Sequence, residues 1–566
     1  MLPQKAIDMV NTVLVVDLKN GLQTDSLRYV ATNIELTRLL AFDAIQQGKG
    51  FGFGDGKKDK YYVEGWTSKA QSLSWKFRTT TPTNFNMAIK YLAPAVSSGG
   101  QYAVLLDEMY IQNPVSTDAN SAVTTQSQGT FFLPAGIHQL KIQPLTISKK
   151  ELMKLLEVQL VPVAKRSLSL NKIFADAETQ TQVMLYEIPK AQAAKSGATS
   201  GVTPGSASSE LVSPRTLENE ELKLVSSKDW TSGFFPGELW LLYEYTGKKE
   251  WKEVAEKYTA NIEREKFNGG THDMGFKIYC SFGQGYRLTK DAHQKEVIIQ
   301  AAKTLSTRFN PVTGVIRSWD NRAKWRNPVI IDNMMNLELL FAATRLTGDS
   351  LFYKIAVSHA TKTMQNHYRK DYSSYHVVDY DTLTGKVLQR TTHQGFSDES
   401  EWARGQAWGL YGFTMCYRET KNKAFLQQAE NIAAYLLKHP NMPNDLVPYW
   451  DFNAPNIPGE PRDASAAAVM ASALYELGSY SKNGKQYRQA ADKIVESLTN
   501  TYRSPIGENK GFLLLHSTGA KPSNSEVDVP LSYADYYYLE ALLRKQKLEG
   551  GKKVELITSK NKVSKD

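Results

Sequence analysis

The stretch NMMNLELLFAATRLTGDSLFYKIAVSHATKTMQN, residues 333–366, carries the pattern that decides the fold. Its first part, 333–346, is mostly apolar, and in 350–366 apolar residues recur at helical spacing among polar ones. The break between the two parts contains Gly348, and glycine after a helix end accommodates the left-handed turn that a helical hairpin needs. The stretch therefore predicts an apolar helix followed by an amphipathic one.

The same unit recurs along the C-terminal part of the chain. Apolar helices are predicted near 232–245, 274–288, 333–346, 402–418, 464–478 and 531–544. Amphipathic helices are predicted near 215–225, 250–265, 291–308, 350–366, 423–437 and 485–501. This alternation predicts an all-α (α/α)6 barrel over residues 215–548, with the apolar set inside and the amphipathic set outside.

Residues 1–165 have a different pattern, in which short β-prone runs such as 12–16, 85–92 and 102–107 are separated by Gly, Pro and Asn. The pattern predicts an all-β sandwich. The two strand-like runs around Pro134-Ala135-Gly136 resemble galactose-binding-like accessory domains, in particular the sandwich that follows the catalytic barrel in some bacterial α-L-fucosidases. We therefore expect an accessory domain, acting as a spacer or as a glycan-binding module.

The two domains are predicted to be joined by residues 166–214, because 195–206 are small and polar without periodicity, which is typical of a flexible linker. Few contacts are then expected across the boundary, so a chain lacking residues 1–190 is predicted to fold. The tail 549–566 is basic and lacks apolar periodicity, which indicates a solvated terminus.

Composition excludes several classes of protein. The net charge is +10, but Lys and Arg are mixed with Asp and Glu along the chain, which disfavours nucleic acid as a partner. Apolar runs are too short for a membrane span, so a soluble protein is expected. The N-terminus is not a signal peptide, which indicates the cytoplasm, or the periplasm or exterior if an upstream leader is missing. Cys280 and Cys416 lie in apolar stretches and are predicted to be reduced thiols.

Two aspartates at the edges of apolar helices are candidates for an acid/base pair. Asp273 lies in THDMGF, 271–276, and Asp332 lies in IIDNMMNL, 330–337. Loops that enter the inner helices of such a barrel open at one mouth, so the two carboxylates are predicted to converge there. The alternative is that each aspartate only caps a helix N-terminus.

A third segment, THQGFSDESEWARGQAWG at 392–409, supplies imidazole, amide, guanidinium and indole groups suited to a sugar-acid pocket. Arg404 on an apolar helix needs a paired anion, either a substrate carboxylate or, structurally, Glu401 or Asp398. No HExxH motif, close carboxylate–His cluster or glycine-rich phosphate loop is present, so neither a metal nor a cofactor is predicted.

Five ordered motifs make residues 215–547 similar to the unsaturated glucuronyl hydrolases of glycoside hydrolase family 88. They are WTSGFFPG at 230–237, HDMGF at 272–276, DNMMN at 332–336, YHVVD at 375–379 and the run 393–409. The resemblance implies an (α/α)6 barrel that removes 4,5-unsaturated uronic acid from the non-reducing end of lyase-generated oligosaccharides. The implied reaction is hydration of the C4–C5 vinyl ether without a cofactor.

The resemblance also implies roles for individual residues. Asp332 matches the general acid/base, and Asp273 matches the second essential carboxylate. The side chains expected to contact substrate are Trp230, His272, Trp319, His376, His393, Gln394, Arg404 and Trp408, although Trp408 on an inner helix fits the core equally well.

Two alternatives remain at this point. Family 105 unsaturated rhamnogalacturonyl hydrolases share the fold and chemistry, but the run 393–409 fits family 88 better. A non-catalytic sugar-binding toroid would have little need for both carboxylates. The leaving sugar stays open, because Lys521, Ser523 and Ser525 in the variable segment 521–528 either bind sulfate or cap the last inner helix. Products of heparin, chondroitin, hyaluronan, gellan and ulvan all remain candidates.

Overall fold

The computed structural model describes residues 27–31, 34, 36–80, 83–120, 122–163, 168–197, 211–320 and 324–550. It divides into two compact units, Met1–Ala164 and Lys165–Asp566. The strand predicted at 12–16, the middle of the predicted linker and all but the first two residues of the predicted tail lie outside the described residues.

The first unit consists of two six-stranded sheets whose inward side chains share one core, which confirms the predicted β character. Its strands are β1 Arg28–Val30, β2 Thr37–Leu40, β3 Ile45–Gln47, β4 Gly52–Phe53, β5 Val63–Glu64, β6 Ser72–Thr79, β7 Thr83–Leu92, β8 Gly100–Leu106, β9 Met109–Pro114, β10 Val123–Leu133, β11 Gly136–Ile147 and β12 Lys154–Pro162. The first sheet has the order β1-β6-β11-β8-β9, with β3 beside β6. The second has the order β10-β7-β12-β5-β4, with β2 beside β12.

The second unit is mainly helical, as predicted for this part of the chain. Its α-helices are α1 Leu170–Gly197, α2 Phe234–Thr246, α3 Lys249–Ala260, α4 Gln284–Thr289, α5 Ala292–Ser306, α6 Leu337–Thr347, α7 Ser350–Asn366, α8 Ala403–Thr420, α9 Lys423–Lys438, α10 Ala464–Leu477, α11 Gly484–Ser497 and α12 Ser532–Glu549. A π-helix, Gly275–Gly283, leads into α4, and a 3-10 helix, Ile331–Asn336, leads into α6. A second π-helix, Leu498–Tyr502, follows α11. Shorter 3-10 helices of this unit lie at Glu263–Phe267, Asn509–Gly511 and Lys521–Ser523, and the first unit has one at Ala41–Asp43.

Short strands complete the second unit. They are β13 Leu211–Glu218, β14 Glu221–Ser226, β15 Phe309–Asn310, β16 Val315–Ile316, β17 Pro328–Ile330, β18 Val377–Tyr380 and β19 Val387–Thr391. β17, β18 and β19 form one antiparallel sheet. Asp332 follows β17 by two residues, His376 directly precedes β18, and His393 follows β19 by two residues, so the sheet positions three of the predicted site residues.

The predicted apolar helices all fall on helical segments of the structure, and five of the predicted amphipathic ones do as well. The sixth, near 215–225, is wrong, because this stretch forms the antiparallel pair β13–β14. Leu222 and Leu224 are buried while Glu221 and Lys223 face outward, which is the two-residue period of a strand.

The segment 166–214, predicted as a connection, contains the long helix α1. Phe174, Met184 and Ile188 of this helix are buried in the core of the second unit, and Phe174 stacks on Tyr245 with ring centroids 3.7 Å apart. The Gln180 amide donates to the Phe512 carbonyl at 3.0 Å. Because α1 is part of this core, the prediction that residues 1–190 are dispensable is not supported.

The apolar helices of the second unit contact one another in sequence. α2 packs against α12, α12 against α10, and α10 against α8. α8 packs against the 3-10 helix Ile331–Asn336, which contacts the π-helix Gly275–Gly283, and the π-helix returns to α2. Loops that precede these segments can therefore present side chains to a common site.

Two further expectations concern the membrane and the cysteines. Among the described helices, none is long and apolar enough to cross a membrane. Cys280 and Cys416 are both free thiols, as predicted, and burial raises the pKa of each thiol.

The position of α1 predicts where the chain tolerates truncation. A chain that begins at residue 168 should unfold cooperatively, whereas one that begins at 191 should be strongly destabilised because it lacks most of α1. In the full chain, Phe174→Ala should lower the free energy of unfolding of the second unit by about 3–5 kcal/mol. Denaturant unfolding measures both effects, and equal stability of the two truncated chains would contradict the assignment.

Candidate active site

Asp332 is positioned by the register of β17 and β18. Ile330 lies opposite Val377 in this antiparallel pair, and the Ile331 amide donates to the His376 carbonyl at 3.0 Å. The chain therefore leaves β17 with Asp332 beside His376. Asp332 is the second residue of the 3-10 helix, whose N-cap is Ile330, so it does not occupy the capping position that was the alternative to catalysis.

Asp332 is only 7% exposed, and burial raises the pKa of its carboxyl to about 7. Desolvation disfavours the charged form of an acid, which is the largest cause here. The positive charge of Arg404 lowers the pKa, and the negative charge of Asp273 raises it. A carboxyl group with this pKa can both donate and accept a proton near neutral pH.

His376 faces this carboxyl with a defined tautomer. Its Nδ1 accepts hydrogen bonds from the backbone amides of His393 at 3.0 Å and Gln394 at 3.1 Å, so the proton of the neutral ring is on Nε2. Burial, reinforced by nearby positive groups, holds the pKa of His376 well below its usual range. The Nε2 atom lies 3.7 Å from Asp332 Oδ2, and neither atom has a hydrogen-bond partner among the described residues.

Asp273 is the second carboxylate of the site and is partly exposed. Its Oδ1 lies 3.3 Å from His272 Nε2, and its Oδ2 accepts a hydrogen bond from the Thr271 hydroxyl at 2.8 Å. Burial lowers the pKa of His272, which favours a neutral ring. The Asp273 carbonyl accepts the first hydrogen bond of the following helical segment, from the Lys277 amide at 3.0 Å, but its side-chain oxygens face Thr271 and His272 and form no side-chain cap.

The segments that carry the two aspartates are locked together by Gly275 and Asn336. The Asn336 side-chain oxygen accepts from the Phe276 amide at 3.0 Å. A β-carbon on Gly275 would lie 2.5 Å from the Asn336 Cα, which is closer than two carbon atoms can approach. Only glycine, which has no β-carbon, fits at this position. The close approach fixes Asp273 relative to Asp332, and neither Gly275 nor Asn336 was predicted from the sequence to be functional.

Arg404 is buried, and it is tied to the protein by three of its five N–H groups. Nη1 donates to Asp463 Oδ2 and to the Thr518 carbonyl, both at 2.6 Å, and Nη2 donates to the Gly519 carbonyl at 2.5 Å. The structural partner is thus Asp463. The sequence prediction of Glu401 or Asp398 as the structural partner of Arg404 was wrong, because Glu401 pairs with His439 and Asp398 accepts a hydrogen bond from the Thr392 amide.

Trp408 and Trp230 lie on one aromatic wall. Trp408 is fully buried and has Phe276 at 5.3 Å, and Trp230, which is partly exposed, also has Phe276 at 5.3 Å and Tyr533 at 4.9 Å. The Trp408 indole N–H lies close enough to Asp332 to lower the pKa of that carboxyl, although it forms no hydrogen bond of ordinary geometry. Trp408 therefore belongs to the core next to Asp332, which is the second of the two roles that the sequence allows for this residue.

A second aromatic group surrounds His376. Trp319 lies 5.2 Å from His393 and 5.4 Å from Trp325, and His376 lies 4.6 Å from Trp402. The Gln394 side chain donates to the same Gly519 carbonyl that Arg404 uses. The structure thus brings all ten predicted residues into one neighbourhood, and it adds Trp325 and Trp402. Trp402 lies two residues before Arg404 in the same motif, and this position was the available signal for it.

The segment 521–528 begins with the 3-10 helix Lys521–Ser523 and is largely exposed. Lys521 Nζ lies 3.6 Å from Glu460 Oε2. Glu526 pairs with Arg215, while the Gly519 amide donates to the Glu526 carbonyl at 2.6 Å. The segment is therefore attached to Thr518 and Gly519, whose carbonyls accept hydrogen bonds from Arg404. Across the described residues, no group of His, Cys, Asp and Glu side chains has the arrangement of a metal site.

Comparison with known proteins identifies relatives of this chain. The model of Glycosyl Hydrolase Family 88 matches residues 207–550. An unsaturated glucuronyl hydrolase of Formosa agariphila is 52% identical over 336 residues, which are 59% of this chain and 84% of that protein. One from Bacillus sp. strain GL1 is 37% identical over 57% of this chain and 87% of its own length. A crystal structure of an unsaturated glucuronyl hydrolase specific for heparin superposes with a TM-score of 0.60 at 46% identity, covering 66% of this chain and 98% of that one.

The Gly275–Asn336 contact predicts that replacing Gly275 by a larger residue destabilises the protein. Gly275→Ala should lower the free energy of unfolding by about 1–3 kcal/mol, because the added methyl group overlaps the Asn336 backbone. Gly269→Ala, six residues earlier, is the control, since its nearest neighbour would be an ordinary 3.9 Å away. Denaturant unfolding compares the two variants, and equal stabilities would show that the contact does not constrain the site.

Proposed function

The chain belongs to Glycosyl Hydrolase Family 88, and on this premise we propose how its residues act. The protein is a hydrolase that releases 4,5-unsaturated uronic acid from the non-reducing end of lyase-generated oligosaccharides. The observation that carries the proposal is the Asp332 carboxyl, buried beside His376 and Asp273, with a pKa of about 7.

The proposal includes an architecture. The successive contacts of the apolar helices support an (α/α)6 barrel over residues 215–548, with those helices inside and α3, α5, α7, α9 and α11 outside. The sequence predicted the first outer helix near 215–225, where β13 and β14 lie instead. Helix α1 occupies that outer position. Residues 1–165 then form an accessory module.

The first chemical step is proton donation by Asp332. The protonated carboxyl transfers its proton to C4 of the C4–C5 double bond, and positive charge develops at C5 and the ring oxygen. Because the pKa of Asp332 is about 7, much of the carboxyl is protonated at neutral pH. Asp332 becomes a carboxylate in this step.

The same carboxylate then acts as a base. It accepts a proton from water as the water oxygen bonds to C5, which gives a hemiketal. The bond between C5 and the ring oxygen then breaks, and the proton of the C5 hydroxyl passes to the ring oxygen, which gives a ketone at C5 and a hemiacetal at C1. The hemiacetal collapses to an aldehyde, and its hydroxyl proton leaves with the aglycone oxygen. His376 holds its Nε2–H towards Asp332, so it favours the carboxylate formed in the first step without changing its own charge.

Other residues bind the sugar. Asp273, with His272 behind it, accepts hydrogen bonds from ring hydroxyls. Gln394 and the remaining N–H groups of Arg404 bind the uronate carboxylate, since a buried guanidinium suits a planar anion. Trp230 and Trp319, with His393, flank the sugar ring with apolar faces. Family 88 members differ in leaving sugar, and kinetics on unsaturated disaccharides from heparin, chondroitin, hyaluronan and rhamnogalacturonan identify it here.

We predict that Asp332→Asn abolishes turnover, lowering kcat by at least about a thousandfold with little change in substrate binding, because only the titratable proton is lost. In the unmodified protein, kcat/KM should fall as pH rises through about 7, since the proton-donating form of Asp332 disappears there. Steady-state kinetics from pH 5 to 9 give both results.

Asp291→Asn is the matched control for this substitution. Asp291 caps α5 through the Gln294 amide, and asparagine caps equally well, so this variant should keep full activity. Turnover of Asp332→Asn within about tenfold of the unmodified protein would remove Asp332 from the role of acid/base.

Reaction in deuterated water tests the hydration mechanism. One deuterium should appear at C4 of the released uronate, and the absorbance of the conjugated alkene should vanish as the aglycone appears. Saturated glucuronides should be inert, because they have no double bond to protonate. Mass spectrometry and NMR of the products measure the label.

Exchange after release is the control, because C4 lies next to the new C5 ketone. Product formed in ordinary water is therefore incubated with the protein in deuterated water for the same time. A C4 without label, or comparable turnover of a saturated glucuronide, would point to ordinary glycosidic displacement, in which the acid protonates the glycosidic oxygen.

A further inference from the structure

The first sheet of the N-terminal unit consists of β1, β3, β6, β8, β9 and β11. The charged side chains that its strands place on the outward face are positive. Lys76 and Arg78 on β6 and Lys141 on β11 point away from the core, since their neighbours Trp75, Phe77 and Leu140 are buried. None of the six described strands of this sheet contains an Asp or Glu residue.

The three cations are close together. Gln139 lies opposite Lys76, and Lys141 lies opposite Ser74, so Lys76 and Lys141 are diagonal neighbours roughly 7 Å apart across the strands. Lys76 and Arg78 are two residues apart on the same face, again roughly 7 Å. Neither lysine forms an ion pair with a described carboxylate, so an anion placed between them would be stabilised.

The second sheet provides the contrast within the same unit. Its outward cations are each paired, Arg38 with Glu157, Lys90 with Asp59 and Lys154 with Glu64. Two acidic residues, Asp107 and Glu108, lie in the turn between β8 and β9, and Asp107 is held by His138 and the Gln139 amide. Lys76 and Lys141 of the first sheet, by contrast, have no ion pair with a described carboxylate.

The remaining side chains of this face suit a carbohydrate. Tyr29, Tyr110 and Ile137 are exposed and offer apolar surface against which the C–H face of a sugar can pack. Gln101 and Gln112, hydrogen-bonded to each other at 3.0 Å, and Gln139 offer amide donors and acceptors for hydroxyl groups. The strand register keeps these groups on one face of the sheet, along which an extended chain can lie.

We propose that this face binds an intact anionic polysaccharide that contains uronic acid, through Lys76 and Lys141 with the tyrosines and glutamines around them. The positive charge and polar lining require an anionic, hydroxyl-rich ligand. That the ligand is a uronate polymer rests on the proposed function, because such a polymer is the parent of the oligosaccharides that the second unit hydrolyses. The accessory unit would hold the protein where its substrates are produced.

The test measures binding of the full chain to immobilised intact heparin and hyaluronan, which carry no unsaturated end. K76Q/K141Q should bind roughly tenfold more weakly than the unmodified protein and with a smaller dependence on salt. K57Q/K58Q removes the same charge from the exposed loop between β4 and β5 and should bind as the unmodified protein does. Hydrolysis of unsaturated disaccharides should be equal in all three proteins, and excess disaccharide should not displace the polymer.

Several outcomes would overturn the proposal: equal losses in the two double variants, no binding of either polymer, or equally tight binding of neutral dextran or of double-stranded DNA. Displacement of the polymer by the disaccharide would place binding at the hydrolytic site instead. Because hydrolysis is measured separately, polymer binding without disaccharide hydrolysis would count against the proposed function and not against this face.

Discussion

The desolvation of one carboxyl group, that of Asp332, is the constraint on which the site depends. An exposed aspartic acid is ionised at neutral pH and cannot donate a proton efficiently, whereas burial raises the pKa of Asp332 to about 7. Burial alone would raise the pKa further, and the opposing charge of Arg404 limits the rise. The site therefore needs a buried acid and a buried cation at fixed separation, which only a rigid scaffold maintains.

The scaffold supplies that rigidity through polar contacts inside the helical unit. Arg404 is held by Asp463 and two backbone carbonyls, and His376 by two backbone amides. Among the apolar helices, Arg418 pairs with Glu338, Glu419 and Glu476, and Arg544 pairs with Glu476. Buried charges are costly unless paired in a defined geometry, so such pairs favour one packing of these helices over its alternatives.

The proposed functions of the two units depend on charged groups in opposite environments. The helical unit encloses its charges, and its acid works because burial disfavours the charged form of the Asp332 carboxyl. The first sheet of the N-terminal unit leaves its lysines in water, where they interact with an anion at longer range and with sensitivity to salt. In each unit, the effect of a cation depends on whether the backbone places it in the core or on the surface. The net charge of the chain does not specify this.

The sequence by itself determined the helical repeat and the motif residues. The apolar periodicity located α2, α6, α8, α10 and α12, because long periodic segments leave little choice of secondary structure. It failed at α1, where alanine and glutamine dilute the apolar spacing, and at β13–β14, where short strands have a two-residue period. Tertiary structure alone decided the ion-pair partner of Arg404, the tautomer of His376, and the role of Gly275 and Asn336. These depend on atoms far apart in the chain, which no spacing along the sequence can specify.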